Sequence, residues 1–149
     1  MIQYIKGDAR ITDDQVKTYI LHICNDEHIW SMGFAKALAE SYPLAKKIYM
    51  SEEIELGVIQ NVSIHENLNI VNMIAQKGVI SQYNPKPIDY DALDQCLEQS
   101  FALAAKEKAR IQMPKIGSGL AGGDWDLISN MIENKLKKYP LELIVYLFD

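Results

Sequence analysis

Apolar and polar positions along the 149 residues switch repeatedly between a two-residue period and a near-four-residue one, as strands and helices do when they alternate. Met1 to Lys6 and Tyr19 to Cys24 are β-like runs. The second, Tyr-Ile-Leu-His-Ile-Cys, is apolar enough to be covered on both faces, as at the centre of a parallel sheet. Phe34, Leu38 and Tyr42, with Ala35 and Ala39 beside them, make a helical stripe that ends near Pro43, and Pro43 can open a further short helix to about Met50. Gly57 to Ile64 and Asn69 to Ile74 read as strands joined by the polar turn His65-Glu66-Asn67. Pro85 and Pro87 break the chain before a long helix from about Asp89 that buries Leu93, Leu97, Phe101 and Ala104. A short strand at Ile111 to Met113, a Gly-rich loop, a helix carrying Ile128, Met131, Ile132 and Leu136, and a last strand from Leu143 to Phe148 complete the order. The pattern predicts an α/β domain with helices on both sides of a mixed sheet.

The length and the 48% hydrophobic content suit one domain, over residues 1–149, with a substantial core. A formal net charge of −5 argues against a general grip on nucleic-acid phosphates and leaves room only for a local basic pocket, so the expected ligand is a small molecule. Cys24 and Cys96 are too few and too scattered for a disulfide framework, and no Cys/His pair has zinc spacing, so neither a metal nor a cofactor is expected. The chain opens without an apolar signal-peptide core, and no apolar run reaches the roughly 18 residues that span a bilayer. A soluble, cytoplasmic protein with no membrane partner is the expectation.

Two loops carry the candidate chemistry. Met113-Pro-Lys-Ile-Gly-Ser-Gly-Leu-Ala-Gly-Gly-Asp-Trp125 sets four glycines between a strand and a helix, where crowded backbone N–H groups can hold an anion, a diphosphate above all. It is neither a P-loop, lacking Gly-Lys-Ser/Thr, nor a dinucleotide fingerprint, and the alternative is a plain flexible turn. The other loop, Asn25 to Phe34, leaves the central strand and also runs into a helix. Ligands of open α/β sheets lie at the carboxyl ends of strands, so both loops are expected to face one cleft.

The run His22-Ile-Cys-Asn25-Asp-Glu-His-Ile-Trp30-Ser-Met-Gly33-Phe34, with Tyr42-Pro43 after it, resembles the first ligand loop and helix of macro domains. Tyr4-Ile-Lys-Gly-Asp8 is similar to their opening, Met113 to Leu120 with Trp125 to their second loop, and Val145-Tyr146 to their closing strand. The likeness spans nearly the whole chain and is nearest to the branch containing ADP-ribose-1''-phosphate phosphatase and terminal ADP-ribose protein glycohydrolase. It implies a three-layer α/β/α macro domain on a mixed, mostly parallel six-stranded sheet. The implied partner is ADP-ribose or a derivative of it, ADP-ribosylated protein included.

The resemblance also implies roles. Gly7, Asp8 and Ala9 would meet adenine, with Asp8 reading its amino group; the alternative for Asp8 is a turn carboxylate capping a backbone N–H. Ser31, Met32, Gly33 and Phe34 would line the diphosphate and distal ribose, with Trp30 either a lid over the sugar or a packing aromatic. Ile116, Gly117, Ser118, Gly119, Leu120 and Ala121 would offer loop amides, and Tyr146 either stacks on adenine or packs. Related glycohydrolases use a Lys after the hairpin strand and an Asp after the Gly-x-Gly-Leu. Here those places hold Gln76, with Lys77 beside it, and Ala121, so a Lys-adduct mechanism is not expected.

The remaining acid–base candidates are His22, Asn25 and Asp26. Asn25 would orient the distal ribose, while His22 or Asp26 would activate water or protonate a leaving oxygen in a phosphomonoesterase reaction. The alternative for His22 is a neutral strand histidine with a hydrogen-bonded ring. His28 is expected in solvent, His65 in the hairpin turn, and Asp124 as the N-cap of the helix opening at Trp125. Three functions stay open: a hydrolase acting at the distal ribose, a non-catalytic ADP-ribose reader, and a macro-like domain retuned to another nucleotide.

Overall fold

A computed structural model of the chain describes residues 1–148. Six strands and four helices alternate: β1 (Gln3–Lys6), β2 (Thr18–Asn25), α1 (Phe34–Ser41), α2 (Pro43–Ser51), β3 (Ile59–His65), β4 (Leu68–Gln76), α3 (Tyr90–Lys106), β5 (Arg110–Met113), α4 (Trp125–Lys138) and β6 (Leu143–Leu147). They form one sheet of order β1-β6-β5-β2-β4-β3, parallel throughout except for the β3–β4 hairpin.

Strand alternation sorts the core into two layers. Tyr19 and Leu21 of β2, with Val71 and Met73 of β4, pack against Leu93, Leu97 and Phe101 of α3 and Ile128 and Ile132 of α4. Ile20, with Leu68 and Ile70, points the other way, onto Leu38 of α1 and Ala45 of α2. β4 is buried at all nine positions, as expected of an interior strand covered on both faces. The α/β/α architecture read from the sequence is therefore the one observed, with element ends moved by a residue or two.

Those movements have local causes. Asp124 accepts from the Asp126 N–H at 2.9 Å and starts α4, while Asp89 accepts from the Ala92 N–H and starts α3. Pro43 sits in the first turn of α2, where its missing N–H costs nothing, and so separates it from α1. His28, expected in solvent, is half-buried: it holds a left-handed backbone (φ 58°), its Nε2 lies 2.8 Å from the Glu52 carbonyl in an exposed bond, and its ring tilts against Tyr49. That pairing pins the first loop to the end of α2.

Five parallel strands end on the same edge of the sheet. That edge collects Gly7 to Arg10 after β1, the Asn25–Gly33 loop after β2, Gln76 ending β4, the Gly-rich loop after β5, and Tyr146 near the end of β6.

Candidate functional site: a two-armed cleft at the strand ends

Two hollows meet along this edge. One, of about 260 Å³, is lined by His22, Ser31 to Ala35, Gln76 and residues of the Gly-rich loop including Lys115, Gly117 and Gly119 to Ala121. The other, about 350 Å³, is a largely apolar slot lined by Ala9, Phe34, Ala37, Tyr146 and Phe148, with Asp8 and Arg10 also in its lining. Gly33, Phe34 and Pro114 border both, so they form a single cleft.

The first hollow is walled by unspent amides. α1 opens at Gly33 (φ 76°) with no side-chain cap and no carboxylate in its first turn. Opposite it, Ser118 N–H donates to Lys115 O, Gly122 N–H to Gly119 O and Gly123 N–H to Gly117 O. The amides of Gly119, Leu120 and Ala121 are left without an acceptor among the described residues. A Cβ on Gly33 or Gly119 would meet nothing within 4 Å, so both face open space. Gly117 and Gly123 serve a different purpose: a Cβ on either would strike the Ile88 and Ile128 side chains, so these two glycines let the loop fold onto the core. An uncapped helix start facing a row of free amides is a site for an anion.

His22 lies at the inner end of that hollow, 2% exposed, boxed by Trp30 (ring centroids 5.4 Å apart) and Phe34 (6.3 Å). Its Nε2 donates to Asn72 Oδ1 at 2.5 Å, and its Nδ1 has no partner in the protein. Burial pushes its pKa down to about 4, against the opposing pull of the Asn72 bond, so the ring is neutral near pH 7. Gln76 borders the same hollow and gives one N–H to the Gly78 carbonyl. Lys77 is exposed and is not among the lining residues.

Asn25 spends its side chain on its own loop. Oδ1 accepts from Glu27 N–H (2.9 Å), Ile29 N–H (3.3 Å) and the Tyr49 hydroxyl (2.8 Å), and Nδ2 donates to Ile29 O at 2.6 Å. Asp26 accepts from Gly78 N–H at 2.8 Å, tying the first loop to the segment after β4. Trp30 gives its indole N–H to Ala35 O and wedges its ring between His22 and Tyr49. None of these three lines either hollow. They build the wall of the cleft from behind.

Asp8 takes the turn role weighed for it, capping Arg10 N–H at 2.9 Å, and it is also among the residues lining the slot, its carboxylate held by the Arg10 guanidinium (Nη2 to Oδ2 2.6 Å). That hydrogen bond holds the Asp8 pKa below the ordinary carboxylate value. Arg10 also donates to the Ala37 carbonyl, and Gln112, buried on β5, donates to the Ala9 and Ile11 carbonyls; both clamp the loop after β1. Arg10, Gln112, Pro114, Lys115 and Phe148 were not singled out by sequence reasoning. Only Pro114 and Lys115 carried a signal, lying inside the Gly-rich run.

No protein-family model matches the chain. A protein of unknown function from Bacteroides thetaiotaomicron has a solved structure that is 37% identical and superposes with a TM-score of 0.91, covering 98% of this chain and 97% of that one. A macrodomain protein from Streptomyces coelicolor is 29% identical with a TM-score of 0.84, covering 98% of both chains. An ADP-ribose 1''-phosphate phosphatase of Scheffersomyces stipitis is 26% identical over 98% of this chain and 99% of its own length. With the fold and cleft already described, these place the chain among the macro domains, in the branch that holds the phosphatase.

Proposed function

We propose that this protein binds ADP-ribose in the two-armed cleft and hydrolyses a phosphate monoester from the distal ribose. The observation that carries the binding half is the uncapped start of α1 facing the free amides of Gly119, Leu120 and Ala121 across a hollow continuous with an apolar slot. The diphosphate lies between those amides. Adenine enters the slot against Phe34 and Tyr146 with its amino group toward Asp8, and the distal ribose reaches His22 and Gln76.

Hydrolysis then falls to His22. Its proton is on Nε2, so Nδ1 is the basic nitrogen and takes a proton from the attacking water. The phosphorus–oxygen bond to the anomeric carbon's oxygen breaks, that oxygen is protonated from solvent, and His22 releases to solvent the proton it took. Asn25 and Asp26 position the first loop and do not touch the reacting atoms. The likeness to an ADP-ribose 1''-phosphate phosphatase, 26% identical over nearly the whole of both chains, supports this reading.

A non-catalytic reader is the second reading, and one observation favours it: among the described residues no carboxylate lines the first hollow, whose one permanent charge is Lys115. Phosphate release from ADP-ribose-1''-phosphate separates the two. Turnover that His22→Gln abolishes while ADP-ribose still binds supports the phosphatase. Tight binding without turnover of this substrate or of O-acetyl-ADP-ribose assigns a reader.

A further inference from the structure

A third hollow opens beside the cleft. It measures about 440 Å³ and is lined by Pro114, Lys115, Tyr146, Leu147 and Phe148. Its position follows from shared walls. Pro114 borders all three hollows, Lys115 belongs to the amide-lined hollow and to this one, and Tyr146 and Phe148 belong to the adenine slot and to this one. A ribose joining a base in the slot to a diphosphate against the amides must pass the border that those two hollows share: Gly33, Phe34 and Pro114. Its hydroxyls on the Pro114 side then open into the third hollow.

We propose that this hollow receives a phosphate carried on a hydroxyl of the adenosine ribose, so that the preferred ligand is an ADP-ribose phosphorylated on its adenosine half. The inference rests on the ADP-ribose reading of the cleft. Among the described residues Lys115 is the one cation in the lining, and no carboxylate lines the hollow. The lysine is also held at the seam: its Nζ sits 5.9 Å from the Trp125 ring centroid, and the Trp125 indole N–H is itself fixed by the Tyr4 hydroxyl at 3.2 Å. Phe148, 80% exposed, and Tyr146 give the rest of the lining a flat aromatic character, suited to a further base if the phosphate is a diester.

Calorimetric titration compares ADP-ribose, its 2'-phosphate, and ADP-ribose extended through that phosphate by one adenylate. Lys115 is exposed, so the 2'-phosphate is expected to bind about two- to fivefold tighter than ADP-ribose at low salt, the advantage fading at high salt. Lys115→Met is expected to erase that ratio whatever it does to ADP-ribose itself, while Trp125→Leu, which frees the lysine, reduces it. A further gain for the adenylate-extended ligand that Phe148→Ala removes identifies a diester as the source; no further gain identifies a monoester. If ADP-ribose binds but its 2'-phosphate binds equally or more weakly, this hollow takes no phosphate and the inference is overturned. If ADP-ribose itself does not bind, it is the proposed function that fails.

Discussion

Asn72 and His22 face each other across β4 and β2 with Asn72 Oδ1 2.5 Å from His22 Nε2, and the rest of the asparagine decides where the histidine's proton is. Asn72 Nδ2 gives its two hydrogens to the Ala45 carbonyl and to Gln60 Oε1, each at 3.0 Å, so only its oxygen remains for the ring. An oxygen without hydrogens can only accept. His22 therefore carries its proton on Nε2, and Nδ1 is left as a buried acceptor without a partner among the described residues.

Burial of that ring has a pH signature. The folded protein refuses a proton that the unfolded chain takes up below pH 6.5, and it accepts one only near pH 4. Between those values the unfolded state binds more protons, so stability falls as pH falls, by about 3 kcal/mol from this group. Urea denaturation should show the decline in the wild type and a flatter curve in His22→Gln, which keeps a donor for Asn72. Asp8 and Glu98 have lowered pKa values and lose their contributions only below the ordinary carboxylate range, outside most of this window.

The glycines of the second loop divide by what surrounds them. Gly119→Glu meets no neighbour and needs no left-handed backbone, so folding stability is expected to stay within about 0.5 kcal/mol while a carboxylate enters the amide-lined hollow. Gly117→Ala, at φ 74° with its new Cβ 2.6 Å from Ile88 Cδ1, is expected to cost about 1–3 kcal/mol of stability. Thermal unfolding of the two variants checks the contrast.

Asn25→Ala is expected to be a stability variant first. It leaves the Glu27 and Ile29 amides short of their acceptor while the Tyr49 hydroxyl keeps the Asn25 backbone carbonyl, a loss of about 1–3 kcal/mol. Chemical denaturation measures it. A fully stable Asn25→Ala protein that binds ADP-ribose but turns nothing over would instead place this residue on the substrate.

Much of this was legible in the sequence because each element announces itself locally. Asp124 before an amphipathic run, Pro43 between two apolar stripes, and the unbroken apolar β2 all settle structure with their nearest neighbours. The amide-lined hollow was legible too, since Gly33 and the glycines from Gly117 to Gly123 mark backbone that is open or too tightly packed for a side chain. What escaped depends on contacts between residues distant in sequence. The Asn25 network needs Tyr49, 24 positions away; the His22 tautomer needs Asn72, 50 positions away; and the Gln112 clamp reaches the Ala9 carbonyl across 103. No period or spacing in the sequence encodes those partners. Trp30, readable from the sequence as lid or as packing, spends its indole N–H on the Ala35 carbonyl, five positions on.

The carboxylate in the lining of the slot gives a base-selectivity prediction. On the proposed reading, in which Asp8 meets the adenine amino group, Asp8→Ala should weaken ADP-ribose by about ten- to a hundredfold. Inosine diphosphate ribose, which presents a carbonyl there, should bind the wild type as poorly and lose nothing further in Asp8→Ala. Competition titrations of the two ligands on the two proteins test this.

The central claim is that the uncapped start of α1 and the free amides of Gly119 to Ala121 together hold the diphosphate of ADP-ribose. Isothermal calorimetry of ADP-ribose against the wild type and Gly119→Glu, with unfolding curves of both, tests it most directly. The account predicts saturable binding to the wild type and none to an equally stable Gly119→Glu. No heat from the wild type at millimolar ADP-ribose, or undiminished binding by Gly119→Glu, would contradict it.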